Sequence, residues 1–359
     1  MALNKENART TSMRSKIDTL LAEGVSLVSP TLSVWLGGIQ KSAQGGDLTP
    51  NRFRNVLWNQ GGTAYEWRVW KASASATRST GELKVRDFDQ PDLLASPSIS
   101  YYMYEKTWGV GEGDMELNKN AGPQKIRDIK KDRLLHARNC VFRTLAGVPW
   151  GANETGQNAG FTLFSPTNVS SATSYAGIAI NNSYWTPTGY DYGTKTIAAN
   201  LYELMGAIKA QMTFSSTAVG GQRVRPDAAA CDPTLWPYIL AYAESKMAVQ
   251  VQTGTLPRNQ NLVEDGFDNV VIHGITLYAD ENFGGSTGYI DSSATEEILV
   301  FDSSQCFVAT TFSQSDGLMV TRQTTQDNEA FIAGQVGVVK TGMMAFGFKN
   351  PRAAQILYT

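Results

Sequence analysis

One segment constrains this chain more than any other: GPQKIRDIKKDRLLHARNCVFRTLAG, residues 122–147. Pro123 suits the first turn of a helix, where a missing N–H costs nothing, and Gly147 followed by Pro149 suits a left-handed stop. The spacing predicts one helix over 123–146, about 36 Å long at 1.5 Å per residue. Leu134, Ala137, Val141 and Leu145 recur at helical intervals, with Leu135 and Phe142 beside them. The C-terminal half therefore has a face to bury. The N-terminal half does not: Lys125, Arg127, Asp128, Lys130, Lys131, Asp132 and Arg133 surround only Ile126 and Ile129. One end of such a helix is anchored in a core and the other leaves it.

A chain of 359 residues, 42% hydrophobic, has material for two or three packed units. Its 31 basic and 33 acidic residues exclude a dedicated, strongly basic nucleic-acid reader. The charge is nevertheless segregated. Residues 119–143 hold eight Lys or Arg against two Asp, whereas 259–321 hold ten carboxylates and no Lys or Arg. Cys140, Cys231 and Cys306 are odd in number and lack metal spacing, so a disulfide framework or structural zinc site is not expected and a reducing compartment fits. The segment after Lys5, Arg9 and Arg14 is no signal peptide, and VSLVSPTLSVWLGGI is too broken to span a membrane.

Along the chain, residues 1–50 read as an arm. Met13, Ile17, Leu20 and Leu21 make a short amphipathic helix in it whose apolar face needs a partner. TAYEWRVW alternates Tyr65, Trp67 and Val69 against Glu66, Arg68 and Trp70; SISYYMYE alternates Ile99, Tyr101 and Met103 against Ser100, Tyr102 and Tyr104. Both are strand patterns. Between them lies a long excursion poor in large apolar groups. A two-stranded hairpin is marginal alone, so this one needs support from the rest of the chain or another copy. Ile197, Leu201, Leu204, Ile208 and Met212 form a second helical stripe. Asp232 and Pro233 open a third helix, in which Pro237 removes one backbone bond. From Val270 onward the pattern turns to strands. Helices and strands do not alternate regularly, so the class is α+β.

Convergent reactive groups are scarce. His136 and Cys140, four apart on the basic helix, are two ligands where a metal site needs more. His273 beside Gly274 reads as a packed or turn residue. GVGEGD, residues 109–114, has the wrong glycine spacing for a dinucleotide loop, and its acids repel phosphate. Glu264, Asp265 and Asp268 read as a solvated acidic loop. No catalytic residue, cofactor or metal is assigned.

The order of these parts resembles the major capsid protein of tailed double-stranded-DNA phages, the Hong Kong 97 fold. AYEWRVW and ISYYMYEKTWGV match its extended loop, GDMELNKNAGPQKIRDIKKDRLLHARNCVFRTLAGVPWG its spine helix with the approach to it, and RVRPDAAACDPTLWPYILAYAESK the strand-to-helix passage of its axial domain. The resemblance implies an α+β capsid fold: an N-terminal arm over 1–50, an extended β-hairpin loop over 51–110, and a peripheral domain over 111–193 with spine helix 123–146. An axial domain over 194–325 and return strands of the peripheral domain over 326–359 complete it. It implies a non-enzymatic, self-assembling subunit of hexamers and pentamers in an icosahedral head, assembled in the host bacterial cytoplasm and ending in the virion.

Implied partners are further copies, packaged double-stranded DNA bound non-specifically, a portal protein, and separate scaffold and decoration proteins, with no membrane. Some 50 residues before the loop leave little room for a built-in scaffold segment. Trp67, Trp70, Phe88, Leu93, Tyr101, Tyr102 and Tyr104 become expected inter-subunit residues of the loop. Lys125, Arg127, Lys130, Lys131, Arg133 and Arg138 become genome-facing or inter-subunit cations. Lys71 and Lys84 lie in the loop, but no partner motif supports covalent cross-linking. Competing readings are an encapsulin-like nanocompartment, an unrecognised hydrolase, and a surface lectin or fibre domain.

Overall fold

The computed structural model describes residues 29–36, 55–71, 94–111, 123–150, 174–215, 224–247, 268–283, 296–314, 318–324 and 334–358; side chains at 123–131, 215, 246–247, 321–324 and 334–336 also fall outside that description. Among the described residues there are four α-helices: α1 (Pro30–Trp35), α2 (Pro123–Gly147), α3 (Ile197–Ser215) and α4 (Trp236–Met247). None is long and apolar enough to cross a membrane.

A mixed six-stranded sheet organises one half. Its order is Asn269–Ile272, Ile275–Ala279, Ala228–Cys231, Ile298–Phe301, Ala354–Tyr358, Thr188–Asp191. The strands inside the edge strand Thr188–Asp191 are mostly apolar because both faces are covered, while that edge strand is polar and half-exposed. Alternate residues divide between two cores: Ala229, Cys231, Ile298 and Val300 meet the helices α3 and α4, while Ala228, Ala230, Leu299 and Phe301 join the core beneath. The expected stripe on α3 is borne out, with Ile197, Leu201, Leu204, Ile208 and Met212 all at 0–1% exposure. His273 and Gly274, at φ 52° and 79°, form the two-residue hairpin turn between Ile272 and Ile275. That geometry matches the twist of the flanking strands.

The other half holds an antiparallel sheet of Met319–Thr324, Gly334–Thr341 and Glu105–Gly111, on which α2 packs. A smaller sheet joins Val56–Leu57, Cys306–Thr310 and Met344–Phe348. The two halves are sewn together by one bent ribbon. Ile298–Phe301 pairs with Ala354–Tyr358 in the six-stranded sheet, then the same two chain segments pair again as Cys306–Thr310 with Met344–Phe348 in the smaller one. Between these ladders lie 302–305 on one strand and 349–353 on the other, one residue longer, each wound into a 3₁₀ turn. The extra residue bends the ribbon as a bulge does.

Three expectations need correction. Strands 306–310 and 319–324 belong with 344–348 and 105–111, and 354–358 joins the six-stranded sheet, so the sheets do not divide at 325/326. Helix α2 runs through Gly147, which is not among the glycines at positive φ. Pro149 supplies the stop, since a residue before proline is pushed out of the helical region. Pro237 costs α4 no backbone bond, because the helix starts at Trp236 after a turn over 233–235 capped by Asp232, and Pro237 falls in its first turn, where the N–H groups have no intrahelical partner.

Candidate assembly surfaces

The base of the excursion is an antiparallel ladder in one register: Ala64, Tyr65 and Glu66 oppose Ser100, Ile99 and Ser98, and Val69 and Trp70 oppose Ala95 and Leu94. Between these pairs the Trp67 N–H donates to the Pro97 carbonyl at 3.2 Å, and Pro97 has no N–H to return. The alternation read from sequence decides the faces. Tyr65, Trp67 and Val69 turn inward while Glu66, Arg68 and Trp70 are exposed.

Trp67 is used within its own subunit. It stacks on Tyr65 at 5.7 Å, meets Phe307 edge-on at 5.1 Å, and donates from Nε1 to the Lys349 carbonyl at 2.8 Å. Tyr101 is also internal at 5% exposure, and burial beside Tyr65 pushes its phenol pKa up. Tyr102 exchanges backbone bonds with Met344 in a bridge, and Tyr104 accepts from Thr341 N–H. What remains outward at the last described pair is Trp70, 51% exposed, with Leu94 at 39%. Met103, which alternation grouped with Ile99 and Tyr101, is instead 46% exposed, and with Met343, 42% exposed, it flanks the Tyr102–Met344 bridge as a second apolar patch. Phe88 and Leu93 lie outside the described residues.

On α2, Ala137, Val141, Phe142 and Leu145 are buried as their spacing requires. Asp132, Arg133, His136, Asn139 and Arg143 form the exposed side. Arg138 is corrected: at 3% exposure it lies on the buried side of the helix and not on its surface. Lys125, Arg127, Lys130 and Lys131 occupy the first half of the helix, and their side chains fall outside the described residues. His136 Nε2 and Cys140 Sγ are 3.6 Å apart on the polar side. Burial pushes the thiols of Cys231 and Cys306 well up, so both are packed, unreactive groups.

The acidic segment is only partly a surface. Asp280, Glu297 and Asp302 are at most 4% exposed. Asp280 accepts from Ser29 Oγ at 2.6 Å, Thr31 N–H at 3.3 Å, and the N–H and Nδ2 of Asn282. It thereby holds α1, an uncharged helix buried along its whole length, whose Trp35 packs against Phe346 and Phe348 at 6.0 and 5.4 Å. Sequence reasoning noticed this segment only as a failed membrane span. Ser29 before Pro30, an N-cap followed by a first-turn proline, was the available signal.

A second polar knot sits where the ribbon bends. Asp227 accepts from Ser303 N–H at 2.8 Å and Ser303 Oγ at 2.5 Å; Asp302 accepts from Arg225 N–H at 2.9 Å and from Ser304 N–H and Oγ at 3.0 and 2.6 Å. Asn55 Nδ2 reaches the carbonyls of Ser303 and Val34. Burial pushes the Asp227 carboxyl up, with Asp302 adding to it and the Ser303 bonds opposing. These contacts fix backbone; none of the arrangement presents a nucleophile with a base. Among the described residues no group of three metal-ligating side chains converges.

No family model matches the chain, and no curated protein matches it. Solved structures do. The capsid asymmetric unit of Cyanophage A-1(L) aligns with TM-score 0.55 at 15% identity, over 84% of this chain and 90% of that one. The capsid of a native GTA particle aligns with TM-score 0.50 at 10% identity, over 89% and 93%. The SrpI encapsulin complex of Synechococcus elongatus aligns with TM-score 0.48 at 10% identity, over 84% of both chains. The layered sheets, the long helix docked at one end and the ribboned loop base belong together: the chain has the capsid fold of the tailed phages, the Hong Kong 97 type.

Proposed function

We propose that this chain is a major capsid protein, a non-enzymatic subunit that assembles with copies of itself into hexamers and pentamers of an icosahedral phage head around double-stranded DNA. The observation that carries this reading is the ladder at 64–70 and 94–100. It is ordered and anchored in its own subunit, yet it leads outward through an exposed Trp70–Leu94 pair. Large apolar groups left open on a supported two-stranded arm call for a neighbour to cover them. Partners under this reading are other copies, DNA, a portal protein, and separate scaffold and decoration proteins, with assembly in the host bacterial cytoplasm.

The test is electron microscopy of the expressed chain with analysis of contents. Closed shells with nuclease-resistant DNA support the reading, shells filled with an enzyme support a nanocompartment, and a lone monomer at high concentration refutes both. Deleting 72–93 and joining Lys71 to Leu94 through Gly-Ser leaves the ladder intact, so a folded subunit that forms no stable shell is expected. Replacing Lys125, Lys130 and Lys131 by Gln separates two roles for the basic half of α2. Intact empty shells with poor DNA retention mark a genome-facing role, and failed or salt-sensitive assembly marks a contact between copies.

A further inference from the structure

We propose that the bend of the ribbon carries an inter-subunit anion site, in which Arg352, on the same bend as Lys349 and with the Arg225 backbone tied to it, receives a carboxylate from a second copy of this chain. The proposal rests on the capsid reading and adds to it a defined contact. Three segments meet at this bend. Arg225 N–H bonds Asp302, Asp302 N–H bonds the Ala353 carbonyl, Lys349 N–H bonds the Gln305 carbonyl, and the Arg352 N–H is capped by Asn350. The backbone of each cation is therefore fixed to the same knot.

The knot's own carboxylates do not neutralise these cations. Asp227 and Asp302 are occupied by N–H and O–H donors through every oxygen. The ion pair found among the described residues is Lys195 with Glu203, remote from the bend; no described carboxylate lies within ion-pair distance of Arg225, Lys349 or Arg352. Arg225 and Lys349 are exposed, and Arg352 is half-buried. Arg352 is the informative one. Burial alone depresses its pKa, with no carboxylate acting in the other direction. A guanidinium partly withdrawn from water without a counter-ion is stabilised by an anion that reaches it, and its planar fork of donors matches a carboxylate.

A second copy suits this site better than duplex DNA. Non-specific phosphate binding draws on fully exposed cations along a surface. A half-covered arginine in a turn between two sheets instead fits one small, shape-matched anion, and arginine is favoured at protein interfaces. The same chain offers the complement: Glu66, Glu105 and Glu281 are exposed and without an ion pair among the described residues.

The experiment assembles equal amounts of unlabelled and ¹⁵N-labelled chain and treats the particles with a zero-length carbodiimide, which joins an amine to a carboxylate in direct contact. Peptide mass spectrometry is then run on wild type and on Arg352→Lys. Expected are cross-links of opposite label joining Lys349, or the amine introduced at position 352, to an Asp or Glu peptide. Arg352→Gln is expected to weaken association roughly tenfold, the equivalent of one interfacial ion pair, while the unassembled subunit unfolds at an unchanged temperature. Cross-links of matching label only, or an equal loss of stability in the unassembled variant, place the partner within the chain and overturn the proposal. Normal empty shells that lose only DNA assign the site to phosphate and overturn it as well. If wild type forms no oligomer, the capsid reading itself falls and takes this occupant with it; a normal Arg352→Gln shell that keeps its DNA sinks the contact alone.

Discussion

The six-stranded sheet and the base of the loop are both β-structure, yet they are finished differently. In the sheet, Ala228–Cys231 and Ile298–Phe301 are at 0% exposure throughout, because α3 and α4 cover one face and the second core covers the other. At the loop base only one face is closed: Tyr65, Trp67 and Val69 pack inward, while Glu66, Arg68 and Trp70 meet solvent. The first region contains its own partners and is complete as a monomer. The second spends its inward face on attachment and leaves its outward face for something else. The proposed capsid role calls for both, a body that folds before assembly and a limb that gains its contacts during it.

The comparison breaks most visibly if the sheet proves dispensable. Phe301 is fully buried and meets Phe348 edge-on at 5.9 Å. Phe301→Ala removes an aromatic ring from a core closed on both sides, with an expected cost of about 3–5 kcal/mol in urea unfolding of the unassembled subunit. A loss under about 1 kcal/mol would show that the core relaxes freely and that the sheet is not the self-sufficient body.

Next in size is Gly337, where the sheet under α2 is closed by an unusually tight contact. A Cβ there would stand 2.6 Å from Trp108 Cε2, its cross-strand partner. Gly337→Ala therefore displaces an indole that is 9% exposed, costing about 1–3 kcal/mol by overpacking. Trp108→Leu in the same chain should restore part of that loss. If Gly337→Ala is neutral by thermal unfolding, the indole is loose and this sheet belongs with the unfinished limb.

These two positions also show what the sequence could tell. The stripe on α3, the buried face of α2 and the in-and-out order of 64–70 follow from periods of 3.6 and 2, which need no knowledge of neighbours. Tyr101, expected between subunits, is buried within its own, because period reports which residues share a face, not whether that face is covered by the same chain. Arg138 was misread for a related reason, since charge suggested solvent while its spacing, three before Val141 and four before Phe142, put it inside. The carboxylates of 259–321 looked like a surface field, and Asp280, Glu297 and Asp302 are instead interior. Asp280 takes donors from Ser29 and Thr31 and Asp302 takes one from Arg225, all distant in sequence, beside the local donors Asn282 and Ser304. The ribbon that passes between sheets was illegible because one extra residue in 349–353 has no signature of its own.

A smaller effect sharpens the contrast through pH. The Asp227 carboxyl is raised by burial, so the folded chain holds its proton more tightly than the unfolded chain. The associated stability is fully present below the ordinary carboxylate pKa and is lost as pH rises through the raised folded value. Asp227→Asn keeps an acceptor for Ser303 and removes the titration. Its unfolding temperature should vary less than wild type's across the mildly acidic range, with little loss near neutrality. An identical pH profile for the two proteins would mean that Asp227 is ionised at no cost and that the knot is not buried polar structure.

The smallest effect on the subunit should come from the outward pair at the loop base, and it is the most informative for that reason. Trp70 and Leu94 oppose each other across the ladder, 51% and 39% exposed, so about half of each is already in solvent and replacing both by Ser opens no cavity within the chain. The backbone bonds of the pair do not depend on those side chains. Unfolding of the unassembled double variant should match wild type within about 0.5 kcal/mol, as for substitutions away from buried features. The same groups are the apolar surface a neighbour would cover, so particle yield should fall sharply by light scattering and microscopy. Val69→Ser, one residue away on the closed face at 7% exposure, should do the reverse and destabilise the subunit directly. If Trp70 and Leu94 cost as much subunit stability as Val69, the outward face is already covered within the chain; if shells form normally without them, the limb makes its contacts elsewhere.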